Sequence, residues 1–346
     1  MISFYPGPSQ VYPQVAQYLQ DAFDSGILSV NHRSAAAMEL VRETYRLLHE
    51  KLDIPADYAI AFVSSATECW EIIAQSLTTR QSLHAYNGAF GQKWAEYTQK
   101  LGLNVVHQPF GLNEVLSLTT EAETICLTQN ETSNGTQVTN STLRKIREAV
   151  PNALLAVDAT SSMAGVAFDW TAADVWFASV QKCFGLPAGM GLLVYGPRAV
   201  ERARSINERN HYNSLLFIDE NVRKFQTHYT PNVLNIYLLK RVLEQVPPIQ
   251  TVAAALQKRA QRLATFFEKE TSWQLLVANA AVRSDTVLAI TGTIPQIEQI
   301  KQTAKTRQIT LGNGYGDWKE TTFRIANFPA ISDADFTTLR AFLTEA

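Results

Sequence analysis

Between Tyr58 and Tyr195 the chain alternates short apolar, β-rich runs with helical stretches, and few architectures accommodate that order. The runs are Tyr58–Val63, Ser82–Tyr86, Val105–Gln108, Glu123–Thr128, Ala153–Val157, Val175–Ser179 and Leu192–Tyr195. A helix between successive strands favours parallel pairing, and parallel strands covered on both faces read as continuous apolar segments. The pattern predicts an α/β fold: a large, mostly parallel sheet domain covered by helices, with ligands at the carboxyl ends of its strands.

The flanking segments divide the chain. Pro6, Gly7, Pro8 and Pro13 rule out a helix over residues 1–15, which read as an extended arm. A short helix, Gln14 to Ser25, follows, and Ser34 is placed to cap a helix over Ala35–Leu52. Asn207 to Asn232 is long and weakly periodic, and its aromatic content argues for order. The helix Val233–Gln245 stops at Pro247-Pro248, which reads as a domain hinge. Beyond it, a long helix over Ile249–Glu270 leads into a smaller C-terminal α/β domain. Its predicted strands are Trp273–Leu276, Thr286–Ile290, Ile309–Leu311 and Thr322–Ala326, with helices over Ile294–Thr306 and Ser332–Thr344. The expected organisation is an arm (1–15), a large domain (16–246) and a small domain (249–346).

A formal net charge of -2, with no basic block, argues against nucleic acid or a membrane surface as partner. No apolar run approaches a membrane span, and the N-terminus MISFYPGPSQ lacks the pattern of a secretory signal. Cys69, Cys126 and Cys183 fit neither a disulfide framework nor metal-ligand spacing. The expectation is a cytoplasmic protein without a metal.

Chemistry gathers at four predicted strand ends. Ser64-Ser65-Ala66-Thr67 opens a helix, where free amides and hydroxyls make either a phosphate seat or an ordinary cap. Phe90 sits in a turn between Gly88 and Gly91, either stacking on a flat ring or covering the core edge. Asp158 closes an apolar strand, and a carboxylate there needs a partner: a pyridinium nitrogen, a helix N-terminus or an arginine. Lys182 follows the buried run Val175–Val180, where it either snorkels or serves as a partly desolvated amine suited to Schiff-base chemistry. An Asp and a Lys on neighbouring strand ends, with an aromatic and an anion seat nearby, match the needs of pyridoxal phosphate.

The order of motifs resembles the class V, fold-type I pyridoxal-phosphate-dependent aminotransferases, over most of the chain. The pieces are Tyr5-Pro6-Gly7-Pro8, Asn31-His32-Arg33-Ser34, Asn87-Gly88-Ala89-Phe90-Gly91, Asn130-Glu131-Thr132-Ser133-Asn134-Gly135, Asp158-Ala159-Thr160-Ser161-Ser162, Ser179-Val180-Gln181-Lys182, Tyr229-Thr230-Pro231-Asn232 and Thr322-Phe323-Arg324-Ile325. The resemblance implies that Lys182 holds the cofactor as a Schiff base and shuttles a proton, while Asp158 keeps the ring nitrogen protonated. It implies that Phe90 stacks on the pyridine and Thr132 hydrogen-bonds its phenolic oxygen. Ala66, Thr67 and Gln181 would bind the phosphate, with Thr230 from the second subunit of a homodimer. Arg324 would clamp the substrate α-carboxylate, and Gly7 with the arm would wall the pocket. Ping-pong transfer between a small amino acid and a 2-oxo acid follows.

The donor is less constrained. His32-Arg33 and Asn130-Glu131-Thr132 resemble phosphoserine aminotransferases, which makes phosphoserine:2-oxoglutarate transamination, a step of serine biosynthesis, the leading expectation. The loop before Arg324, Gly312-Asn313-Gly314-Tyr315-Gly316-Asp317-Trp318-Lys319, carries only Lys319 as a cation, where those enzymes usually have a His-Arg pair. Tyr5-Pro6-Gly7-Pro8 looks closer to the serine–pyruvate and alanine–glyoxylate group, the alternative. A cysteine desulfurase is more distant, because Gln181 stands where that group has a His. A nicotinamide-dependent dehydrogenase lacks support, since no strand leads into the three-glycine fingerprint. A non-catalytic cofactor-binding regulator would normally carry a DNA-binding segment, and the chain shows none.

Overall fold

The computed structural model describes residues 1–345, and the apolar runs assemble into a seven-stranded sheet. The strand order is Ala59–Val63, Gly191–Tyr195, Val175–Ser179, Leu154–Asp158, Thr124–Thr128, Gln81–Tyr86 and Asn104–Pro109. Gly191–Tyr195 runs antiparallel to both its neighbours, and the other pairings are parallel. Every residue of Thr124–Thr128, Leu154–Asp158, Val175–Ser179 and Gly191–Tyr195 is buried, as strands with helices on both faces require. Trp176, Phe177, Leu192 and Val194 anchor this core, each fully buried large side chain contributing about 1.5–3 kcal/mol.

Val157 and Asp158 pair with Trp176 and Phe177, so the chain segments that follow both strands emerge at the same edge of the sheet. The helix Ala66–Leu77 begins there too, one residue beyond its cap. Ser34 caps Ala35–Leu52 through Ala37 N, as expected.

A second sheet of five strands has the order Ile2–Phe4, Ile309–Asn313, Thr322–Ala326, Val287–Thr291 and Gln274–Leu275. Its first strand lies within the extended N-terminal segment 1–15. Ile2–Phe4 pairs in parallel with Ile309–Leu311, and Phe4 is buried against Phe336 in the small core. Three residues are too short a run to register as a strand by periodicity.

Two helices lie where none is apparent in the sequence: Pro197–Ile206, and Leu215–Val222 inside the long polar segment. The second is capped by Ser214 and buries Leu215, Leu216 and Ile218. Its eight residues are too few for a clear helical period. The chain does break at Pro247-Pro248, between helices Val233–Gln245 and Ile249–Lys269. Among the described residues no helix is long and apolar enough to cross a membrane.

Candidate active site

Lys182 lies in the turn after Val175–Ser179 and is 7% exposed. Its Nζ donates to Thr132 Oγ1 at 3.0 Å and stands 5.4 Å from the centroid of the Phe90 ring. Burial lowers its pKa to about 8, against the upward pull of Asp158 and with a further push down from Arg324. The amine therefore loses its proton far more readily than an exposed lysine, as nucleophilic and proton-transfer roles require. The N-terminal segment holds this turn in place: Ser9 N donates to the Gln181 carbonyl and Tyr12 N to that of Gly185, both at 3.0 Å. Gly7, with φ +146°, passes so close that a Cβ there would lie 2.7 Å from Lys182 Cε.

Asp158 ends the neighbouring strand, buried, with Oδ1 accepting from Thr160 N at 2.8 Å. Burial pushes its carboxyl above the usual carboxylate range, although Thr160 and Lys182 pull it back. A desolvated carboxylate of this kind is a strong partner for a cationic N–H. Thr132 accepts from Lys182 and donates to Ser161 Oγ at 2.9 Å. Asn130 Nδ2 donates to the same Ser161 oxygen at 2.8 Å, and the Ser284 hydroxyl donates to Asn130 Oδ1. Ser284 lies just before the small-sheet strand Val287–Thr291, so this network ties the two sheets together at the site.

The residues of Ser64–Thr67 divide between the cap and the cleft. Ser65 caps the helix by accepting from Glu68 N, and Glu68 Oε2 accepts from Ser64 N and Oγ at 2.8 and 2.6 Å. Ala66 and Thr67 instead line the cleft beside Ser179 and Gln181, at a helix N-terminus where backbone amides favour an anion. Glu68 also accepts from Tyr212 Oη at 2.8 Å. Burial would raise its pKa, but His228, Ser64 and Tyr212 outweigh that and hold it at about 2. The long segment around Tyr212 and His228 is thereby fastened to the helix Ala66–Leu77.

Phe90 opens the helix Ala89–Lys100, which has no side-chain cap of its own. Buried Glu131 takes that place, accepting from Phe90 N and Gly91 N at 3.2 and 3.1 Å and from Ser133 N and Oγ at 3.0 and 2.6 Å. The Phe90 ring stacks on Tyr315 with centroids 5.0 Å apart. Arg324, 3% exposed, donates Nε to the Asn313 carbonyl and Nη1 to that of Thr132, both at 2.6 Å. Burial lowers its pKa to about 10, which leaves it a cation at neutral pH.

These groups surround one cleft of about 430 Å³. Gly7, Ala66, Thr67, Phe90, Thr132, Asp158, Gln181, Lys182 and Arg324 all line it. His32, Arg33 and Thr230 do not: Arg33 and Thr230 are exposed and His32 half-buried, away from the cleft of their own chain. Lys319 also lies outside, exposed beside Glu320. Sequence reasoning missed Lys93 and Tyr315, which line the cleft, and Glu131, which sets the start of the Phe90 helix. Lys93 had a signal, lying three residues after Phe90 and hence on the same helical face.

The family model for aminotransferase class-V matches residues 4–315. A phosphoserine aminotransferase of Rhodococcus opacus (strain B4) is 28% identical, over 96% of this chain and 91% of its own. Among solved structures, a phosphoserine aminotransferase from Cytophaga hutchinsonii ATCC 33406 superimposes with a TM-score of 0.94 and 34% identity, covering 99% of this chain and 98% of the other. A subgroup IV aspartate aminotransferase from Thermus thermophilus has a TM-score of 0.87 at 21% identity, covering 100% and 98%, and shares the fold.

Proposed function

The chain belongs to the class V aminotransferase family and is a pyridoxal-phosphate-dependent aminotransferase, and we propose that it moves the amino group of O-phosphoserine to 2-oxoglutarate, in serine biosynthesis. The observation that carries this reading is the similarity to the Cytophaga phosphoserine aminotransferase over nearly the whole of both chains.

The cleft suits the cofactor in its donor set. A buried carboxylate, a buried lysine of lowered pKa and a helix N-terminus meet there, and Thr128 Oγ1 on its wall is buried without a hydrogen-bond partner. The cofactor, when bound, withdraws electrons from the substrate Cα and so acidifies its Cα–H. Lys182 would hold it, and after release its neutral amine would carry a proton to and from the substrate Cα. Asp158 would keep the ring nitrogen protonated, and Phe90 would cover the ring face. Thr132 would turn its hydroxyl from Ser161 to hydrogen-bond the ring oxygen, and Ala66, Thr67 and Gln181 would seat the phosphate. Arg324 has two of its five donors on backbone carbonyls, which leaves the rest for the α-carboxylate. We assign Thr230, His32 and Arg33 to the partner subunit's cleft in a homodimer, since all three lie outside their own.

A second reading, serine or alanine with glyoxylate or pyruvate, is favoured by the loop before Arg324, which carries no His-Arg pair. Half-reactions of the holoenzyme with phosphoserine, serine, alanine and glutamate, followed by cofactor absorbance, separate the two. Phosphoserine should react fastest, and a rate no better than that of serine would sink the leading assignment. Arg33→Ala should weaken phosphoserine far more than alanine, and light scattering should give twice 38.5 kDa.

A further inference from the structure

We propose that Lys93 is the cation of the cleft's own chain that receives the distal anionic group of the substrates, the phosphate of the donor and the side-chain carboxylate of the acceptor. This deepens the reading above and rests on it. No basic residue of the loop before Arg324 turns into the cleft, because Lys319 pairs with Glu320 at the surface. Lys93 enters the cleft from the helix instead, three residues after Phe90.

Two features separate it from a solvated surface lysine. Its Nζ donates to Tyr315 Oη at 2.6 Å and lies 4.9 Å from the centroid of that ring. No carboxylate among the described residues pairs with it, so two of the three ammonium donors have no protein partner, on a side chain that lines the cleft. Arg324 also stands over Tyr315, its Cζ 5.5 Å from the centroid. One aromatic platform thus carries both cations. Arg324 is the deeper, suited to the α-carboxylate, and Lys93 is the more exposed, suited to the far end of a dianion. Phosphoserine, glutamate and 2-oxoglutarate all carry that second anion, whereas alanine and serine do not. The Tyr315 phenol holds the ammonium in place and reduces the ordering that binding must impose.

The test uses the holoenzyme with Lys93→Met, which keeps an apolar stem of similar length, and Lys93→Arg. Loss of one charge-assisted contact predicts a KM for phosphoserine and glutamate raised by about 10- to 100-fold. The kcat should stay within about threefold, the alanine half-reaction should not change, and Lys93→Arg should recover most of the loss. Glutarate and butyrate, dead-end ligands with and without a distal carboxylate, give an equilibrium readout. Lys93→Met should raise the inhibition constant of glutarate and leave that of butyrate. Equal losses for alanine and phosphoserine, or an unchanged glutarate constant, overturn the proposal. The reading of the donor fails separately: a wild type that prefers serine to phosphoserine refutes it, while a Lys93-dependent glutarate constant still upholds the distal-anion site.

Discussion

Gly7 offers the sharpest test of how the N-terminal segment serves the lysine. A Cβ at this position would stand 2.7 Å from Lys182 Cε, with Cγ and Cδ at 3.5 and 3.6 Å. Carbon atoms settle at about 3.5–4.0 Å, so Gly7→Ala displaces the end of the lysine by about 1 Å. The segment itself yields less easily, being tied by Ser9 N to the Gln181 carbonyl and by Ile2–Phe4 to the small sheet. A misplacement of about 1 Å at a reacting group costs about 100-fold in rate. The φ of +146° adds strain of about 1–3 kcal/mol for any residue with a Cβ. Single-turnover rates of the holoenzyme should therefore fall about 100-fold, with a loss of a few degrees in Tm. Gly26→Ala separates the two effects. Gly26 also has positive φ, +70°, but nothing lies within 4 Å of a Cβ there. It should lose some stability and keep its rate. A Gly7→Ala enzyme within threefold of wild type, or a Gly26→Ala enzyme equally slowed, would refute the argument from crowding.

Glu131→Gln replaces a carboxylate that accepts four donors with an amide whose NH2 faces some of them; each buried donor left unpaired costs about 1–3 kcal/mol. Weaker cofactor retention on dialysis and a lower Tm are expected, and unchanged values would deny Glu131 its role in placing Phe90. Arg324→Lys removes the two-pronged geometry, so KM for every amino donor should rise by about 10-fold or more in steady-state assays; an unaltered KM would exclude the clamp. For Lys182 the folded pKa of about 8 lies below the ordinary value of 10.5, so between those pH values the unfolded chain binds a proton that the folded chain does not. Stability of the cofactor-free protein should rise with pH across that window, by up to about 3 kcal/mol relative to Lys182→Met in urea melts. A parallel pair of pH profiles would contradict the shift.

Much of the fold is legible because its strands are buried throughout. Val175–Ser179 and Leu154–Asp158 have no solvent face, so they read as unbroken apolar runs that stop where the polar chemistry starts. The parts that escaped notice are those whose order is set by distant partners. Ile2–Phe4 becomes a strand through Ile309–Leu311, and Leu215–Val222 becomes a helix by packing on the large core. The Asn130–Glu131 and Thr136–Gln137 pair is shorter still, and it is fixed by side-chain bonds to Ser161, Ser284 and Asn87.

The cleft residues divide along the same line. Lys182, Asp158 and Phe90 each break a local pattern: a cation after a buried strand, a carboxylate ending one, an aromatic in a glycine turn. Such violations of a local rule mark sites where function outweighs folding. Glu131 and Lys93 break no local rule. Glu131 lies in a run of polar residues and Lys93 in an amphipathic helix, where a charge is expected. Their roles arise from what is missing elsewhere: a helix without its own cap, and a loop whose lysine turns outward. The helix spacing still gave a route to Lys93. Residues three apart share a face, so the turn of helix that brings Phe90 to the cleft brings Lys93 to it as well. The positive charge expected in the loop before Arg324 is supplied by the Phe90 helix, and Tyr315 is the loop's contribution to holding it.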